Sequence, residues 1–190
     1  MPGRRIEGIP CYLTEPTTRH AIRAVLRQIG EGFPQDLAKV KAGVRAFVAL
    51  PDVEAAAGTM GEYKVDDPGE DPASRFQVGP GVVMLSRTAY PALQDAIATV
   101  AHELGHAATT FDDVRRRGAF DTAEFASEAA ADWYAYRWGF GRAIATHRRL
   151  RDFGHHGPAP GSTYSVELPE GTYRYRVSRK FVCRLVSVER

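Results

Sequence analysis

The feature that most constrains this chain is the pattern His-Glu-Leu-Gly-His at residues 102–106. Apolar residues around it recur at helical spacing, so the sequence predicts a helix over about residues 91–110. These apolar positions are Leu93, Ile97, Val100 and Leu104. With about 100° per residue, His106 lies about 40° from His102, whereas the apolar stripe lies about 160° to 220° away. We therefore expect a helix with its apolar side in a core and both histidines on the opposite side.

Two histidines one helical turn apart lie close enough to share a metal ion. Glu103 lies about 100° from His102 around the helix, so it can reach a water beside a metal without being a ligand. The alternative is a solvated helix on which these three side chains have no joint role. The pattern at 102–106 leaves both interpretations open.

A second acidic pattern follows, in which Glu124, Glu128 and Asp132 are spaced four residues apart. Like charges at this spacing destabilise a helix. Their neighbours are mostly alanine and aromatic residues, which predicts a largely buried helix over about residues 122–150. Buried carboxylates need a cation or hydrogen-bond donors. Glu124 has a separate explanation as the third residue after a capping Asp121, which leaves Glu128 and Asp132 to be explained.

The two patterns together resemble the gluzincin metallopeptidases, the group that includes thermolysin. A Glu-x-x-x-Asp pattern begins 22 residues after His106. The stretch EAAADWYAYRWG is most similar to the glutamate helix of the membrane CAAX-processing endopeptidases and to the small soluble minigluzincins. The resemblance covers about residues 81–140. It implies that the zinc ligands are His102, His106 and Glu128. It also implies that Glu103 is the general base and that Asp132 is the carboxylate that orients a ligand histidine.

The resemblance also implies an α+β, zincin-like fold, in which a small mixed sheet packs on the active-site helix and on the glutamate-bearing helix. It implies that residues 81–86 form the edge strand that pairs with an extended peptide or protein substrate. The activity it implies is zinc-dependent hydrolysis of a peptide bond, with Glu103 as the general base. The membrane relatives have transmembrane helices, whereas this sequence has no run of about 18 apolar residues. Their lipidated substrates therefore do not carry over.

The remaining segments are predicted from periodicity and from turn residues. Residues 1–16 are expected to be irregular, 17–29 and about 35–42 helical, 46–50 and 81–86 strands, and 55–75 turns and loops. Thr17 or Thr18 is the expected cap of the first helix. After the turn residues at 157–161, the aromatic and β-branched tail predicts two or three strands. We expect a metallopeptidase domain over residues 1–154 and a β-rich extension over 155–190.

The distribution of charge along the sequence suggests the main alternative function. The chain has 25 lysines and arginines against 23 acidic residues, a net charge of +2 that favours neither nucleic acids nor membranes in general. The tail is locally basic, however, and has aromatic residues between the basic ones. The basic residues are Arg174, Arg176, Arg179, Lys180 and Arg184. In this alternative, zinc stabilises a non-catalytic protein, and the basic C-terminal strands contact DNA or a partner. Glu103 favours the enzyme, because a structural zinc site usually has four protein ligands and needs no base.

Cellular location and the donor that stabilises the transition state are less constrained. Residues 1–16 have no apolar core behind their basic residues, so they are not expected to be a secretory signal. Cys11 and Cys183 are the only cysteines, which excludes a disulfide framework and favours a cytoplasmic protein. Candidates for the donor are Tyr134, Tyr136, His147, His155 and His156.

Overall fold

We describe the fold from a computed structural model of the 190-residue chain. It describes residues 4–50, 61–65, 79–86, 90, 92–110, 123–144, 163–168, 171–177 and 183–189. The helices are α1 (Pro16–Gly32), α2 (Pro34–Gly43), α3 (Leu93–Ala108) and α4 (Ala123–Ala135), and a π-helical turn (Tyr136–Phe140) follows α4. The strands are β1 (Arg4–Ile6), β2 (Ile9–Cys11), β3 (Val44–Ala49), β4 (Gly61–Val65), β5 (Gly81–Leu85), β6 (Thr163–Leu168), β7 (Gly171–Val177) and β8 (Cys183–Glu189).

Five strands form a mixed sheet in the order β1-β2-β3-β5-β4. The inner pairs β2–β3 and β3–β5 are parallel, whereas β1–β2 and β4–β5 are antiparallel. This mixed sheet with four helices confirms the α+β class. The strand predicted at 46–50 and the helix predicted at about 35–42 are present, with β3 and α2 one or two residues longer.

The N-terminal segment forms a hairpin, so the prediction of an irregular segment over residues 1–16 was wrong. Glu7 and Gly8 lie between β1 and β2 and have positive φ angles of 50° and 89°. Two central residues with positive φ define the tight hairpin turn that matches strand twist. Strands of three residues are too short to show a periodic pattern, but Glu-Gly between two isoleucines was a usable turn signal.

Helix α1 supplies a stripe of fully buried aliphatic side chains to the core, namely Ala21, Ile22, Val25, Leu26 and Ile29. Its start differs from the prediction that Thr17 or Thr18 is the cap. The Glu15 carboxylate instead accepts hydrogen bonds from the backbone N–H groups of Thr17 and Thr18. Pro16 follows at the first helical position, where its missing N–H costs nothing.

Strand β4 overturns two predictions. Residues 55–75 were expected to be turns and loops, yet Gly61–Val65 is a strand. It pairs with β5 and forms one edge of the sheet, so residues 81–86 supply an inner strand and not the expected edge strand. Only Tyr63 is buried in β4. Pairing with β5, which no local pattern reveals, makes this short and partly exposed segment extended.

Helix α3 crosses the core and contacts α1, α2, α4, β4 and β5. It is buried on more sides than the predicted stripe, because its alanines and Gly105 allow close approach all around. Val100 and Leu104 are buried as expected, whereas Leu93 at the start of the helix is exposed.

Helix α4 continues through the π-helical turn into residues 141–144. This turn is attached to α2 through Asp36, a buried carboxylate that accepts hydrogen bonds from Arg137 Nε and Trp138 Nε1, both at 3.0 Å. The side chain of Gln28 in α1 donates to the carbonyl of Trp138. The two bonds to the Asp36 carboxylate are charge-assisted and therefore stronger than neutral ones. Together with the bond from Gln28, they hold the end of α4 against the first two helices.

The tail forms a separate three-stranded antiparallel sheet, β6-β7-β8, which confirms the prediction of strands after residue 161. The domain boundary predicted at residue 154 lies outside the described residues. Among the helices that the structure describes, none combines the length and apolar character that crossing a membrane requires.

Candidate metal centre

The centre lies where α3 and α4 face each other. His102 and His106 project from α3 one turn apart, and Glu128 and Asp132 project from α4 one turn apart. Glycine at position 105 lets the helices approach, because a Cβ atom there would lie 2.3 Å from the carbonyl oxygen of Ala131. The small residues of both helices thus determine how closely the histidines and the carboxylates meet.

His102, His106 and Glu128 bring three potential donor groups together. His102 Nε2 lies 3.0 Å from Glu128 Oε2, and His106 Nε2 lies 3.1 Å from Glu128 Oε1. The two imidazole Nε2 atoms are 3.2 Å apart. These three residues could hold a metal ion. Donors bound at about 2.0–2.1 Å around a tetrahedral ion lie about 3.3 Å from one another, so the spacing fits such an ion.

The chemistry of the donors narrows the class of ion. Two imidazole nitrogens with one carboxylate suit zinc and its first-row neighbours, whereas calcium and magnesium prefer oxygen ligands alone. A single proton shared between His102 Nε2 and His106 Nε2 would satisfy the contact between these two nitrogens but would provide no donor from either nitrogen to the Glu128 carboxylate. A cation would satisfy both lone pairs and the carboxylate of Glu128 together.

Asp132 contacts the other nitrogen of one of these histidines. Its Oδ1 atom lies 2.9 Å from His102 Nδ1, and its carboxylate is buried. A hydrogen bond from Nδ1–H to Asp132 would keep a proton on Nδ1, so that Nε2, which faces Glu128, is the nitrogen that can lose its proton and ligate a metal. This is the contact that the gluzincin resemblance implies for Asp132.

Glu103 lies beside this cluster and not within it. It is buried, and its side chain lies next to Gly61 of β4, where a Cβ atom would come within 3.1 Å of Glu103 Oε1. The backbone N–H of Tyr63 donates a hydrogen bond to its carboxylate. Burial raises the pKa of Glu103 above its ordinary value, although the charges of His102 and His106 lower it. Glu103 is thus a buried carboxylate with an elevated proton affinity.

The cluster residues also perturb one another's proton affinities. Burial alone would raise the pKa of Glu128, but the positive charges and hydrogen bonds of His102 and His106 lower it well below the ordinary value. Burial would lower the pKa of His102, but Glu128 and Asp132 raise it well above the ordinary value. Electrostatically, the two carboxylates therefore make this a site that favours positive charge.

Two residues near the cluster were not predicted from the sequence, namely Gly61 and Tyr63 of β4. Tyr63 is buried, and its ring lies nearly parallel to the imidazole of His106, with centroids 6.4 Å apart and 4° between the planes. The alternation in Gly-Glu-Tyr-Lys-Val, with charged residues at every second position, was the available strand signal.

The structure describes only some of the other residues that the sequence analysis singled out. Tyr134 is buried, and its hydroxyl accepts a hydrogen bond from Lys39 of α2 at 3.1 Å. Tyr136 lies in the π-helical turn. His147, His155 and His156 lie outside the described residues, and so does the side chain of Glu124. Cys11 is a buried free thiol in β2.

Comparison of the chain with protein-family models, with curated proteins and with solved structures finds no match.

Proposed function

We propose that this protein is a zinc-dependent metallopeptidase of the gluzincin type. His102, His106 and Glu128 would hold the zinc ion, and peptides or proteins would be the substrates. The observation that carries the proposal is the juxtaposition of three closely spaced donors with a buried carboxylate, Glu103, that is not one of them. When bound there, zinc would lower the pKa of water and polarise a carbonyl group.

The residues of the chain would do the rest of the chemistry. Glu103 would accept a proton from the attacking water and then deliver it to the leaving amine. Its raised pKa supports this role, because a general base works best when its pKa lies near the operating pH. Asp132 would hold His102 in the tautomer that ligates through Nε2.

The competing function is a non-catalytic protein that zinc stabilises and whose basic tail contacts DNA or a partner. A structural zinc site usually has four protein ligands, whereas a catalytic site has three and keeps one position open. The cluster found among the described residues has three. In the C-terminal sheet, Arg174 and Arg176 are exposed, but Arg174 pairs with Glu189 at 3.0 Å. The number of donors therefore favours the enzyme.

A peptide-library digest of the zinc-loaded protein tests the proposal, with Glu103→Gln as the matched control. The amide has the shape of the carboxylate but cannot accept the proton. We expect both proteins to bind about one zinc ion, and the variant to lose about 10²–10⁴-fold or more in cleavage rate. Equal cleavage by both zinc-loaded proteins would refute the role of Glu103. Zinc binding without cleavage by the wild-type protein would favour the non-catalytic function.

A further inference from the structure

Strand β4 contacts the centre through the residues on its inner face. Gly61 lies against Thr99 and Glu103 of α3, where an added Cβ would come within 2.5 Å of Thr99 Cγ2. Two residues further, Tyr63 places its ring parallel to that of His106, and its backbone N–H donates to the carboxylate of Glu103. A single residue of the edge strand thus contacts two of the residues to which we assign function.

The hydroxyl of Tyr63 anchors this strand at a second place. It lies within hydrogen-bonding distance of the carbonyls of Gly43, at 3.0 Å, and Gly79. Gly43 is itself pressed against α3, since a Cβ atom there would lie 2.5 Å from the carbonyl oxygen of Ala107. Ala107 directly follows His106. The ring of Tyr63 therefore connects the strand to the end of α2 at the point where α2 meets the histidine helix.

We propose that Tyr63 is a positioning residue that fixes the edge strand to α3 and thereby holds His106 and Glu103 in their places. The role in metal binding rests on the proposed function, whereas the anchoring of the strand does not. Partners that orient metal ligands from outside typically change metal affinity about 10–100-fold when they are removed. Stacking on His106 and a hydrogen bond to Glu103 would give Tyr63 influence over both a ligand and the base.

Two substitutions separate its two kinds of contact. Tyr63→Phe keeps the ring beside His106 and removes the hydroxyl anchor, whereas Tyr63→Leu removes both. Tyr134→Phe is the matched control, because Tyr134 is a similarly buried tyrosine whose hydroxyl bonds to Lys39. All four proteins, including the wild type, are compared by Co²⁺ and Zn²⁺ affinity and by the absorption spectrum of the Co²⁺ forms. The exchange rate of the backbone amide hydrogen of residue 63 is measured on each of these proteins without metal.

The expected results are graded. Tyr63→Phe should weaken metal affinity about 10-fold and speed exchange at residue 63, and Tyr63→Leu should approach 100-fold and alter the Co²⁺ spectrum. Tyr134→Phe should change neither metal affinity nor the exchange rate at residue 63 more than about twofold, although its thermal stability should fall about as much as that of Tyr63→Phe. An equal loss of affinity in the Tyr134 control, or unchanged affinity in both Tyr63 variants, would overturn the positioning role.

The exchange measurement keeps this inference distinct from the proposed function. If the wild-type protein binds no metal, the proposed function fails, and with it the part of Tyr63 in metal binding. The exchange rate at residue 63 still decides whether Tyr63 anchors the strand. Exchange that is as slow in Tyr63→Phe as in the wild type would refute that anchor, whether or not metal binds.

Discussion

Replacing Gly105 with alanine tests the closest contact in the centre. Gly105 lies between the two histidines in sequence order, and a Cβ atom there would lie 2.3, 2.8 and 2.9 Å from the O, C and Cα atoms of Ala131. All three are backbone atoms, so no side chain can turn aside. Since Cβ contacts below 3.0 Å are essentially never seen, the two helices must separate locally by about 0.7 Å or more.

Two opposing effects determine how much Gly105→Ala changes the free energy of unfolding. Forcing a methyl group into a close-packed contact costs about 1–3 kcal/mol, whereas alanine gains about 1 kcal/mol over glycine in a helix interior. The net loss in the free energy of unfolding should be about 0–2 kcal/mol. Metal binding should suffer more, because metal–ligand distances tolerate only about 0.2 Å. A shift of the His106–Glu128 contact beyond this should weaken zinc affinity at least about 10-fold.

Competition with a chromophoric chelator measures the zinc affinity of Gly105→Ala, and denaturant unfolding of the metal-free protein measures its stability. The control is Gly32→Ala at the end of α1, where nothing lies within 4 Å of the added Cβ. We expect the control to keep wild-type zinc affinity. If Gly105→Ala binds zinc as tightly as the wild type, the close approach of α3 and α4 does not determine the geometry of the centre, and the reasoning fails.

Three further predictions concern the charges of the centre. Asp132→Asn should weaken zinc affinity about 10–100-fold without unfolding the protein, and an unchanged affinity in the same competition assay would leave Asp132 with no role in orienting His102. Glu128→Ala should lose zinc, whereas Glu124→Ala should keep it and lose only some thermal stability; the reverse pattern in metal analysis of the two purified proteins would refute the ligand assignment. Because the pKa of His102 is raised in the cluster, a proton must leave it on ligation. Zinc affinity should therefore keep increasing as the pH rises above the ordinary histidine pKa of about 6.5 towards the raised pKa of His102, and titration calorimetry in buffers of different ionisation enthalpy should detect proton release; a pH-independent affinity would contradict this.

The sign for stability follows from the same pKa directions. The Glu128 carboxylate has a lowered pKa and stabilises the folded metal-free protein above the ordinary carboxyl pKa. His102 has a raised pKa, so its contribution is fully present below the ordinary histidine pKa and is lost as the pH rises through the raised value. The contribution of this pair to metal-free stability is therefore largest between those two ordinary pKa values.

Local patterns were sufficient where a segment's neighbours in sequence are also its neighbours in space. Helical periodicity predicted α1, α2 and α3 to within a few residues, since each helix forms its hydrogen bonds internally. The spacing of His102 and His106 placed both imidazoles on one face of α3. This spacing predicted that the two imidazoles lie side by side, but it did not predict which segment of the chain faces them.

Contacts between distant segments could not be read in the same way. The spacing of the acidic residues left Glu124 and Glu128 as alternatives, and the resemblance favoured Glu128. In the fold, Glu128 lies 3.0 and 3.1 Å from the histidines, because the approach at Gly105 sets how α4 faces α3. The burial of Glu103 under the edge strand likewise depends on a segment about forty residues earlier in the chain.

What the sequence by itself determined is the set of helices and the identity of the residues that can ligate or accept a proton. Tertiary structure alone decided that Gly61–Val65 is the edge strand and that Tyr63 lies against His106. The physical reason is that a helix closes its hydrogen bonds locally, whereas a strand such as β4 exists only through its pairing with β5. A residue whose role depends on that pairing has no signature in its own neighbourhood beyond a weak alternation.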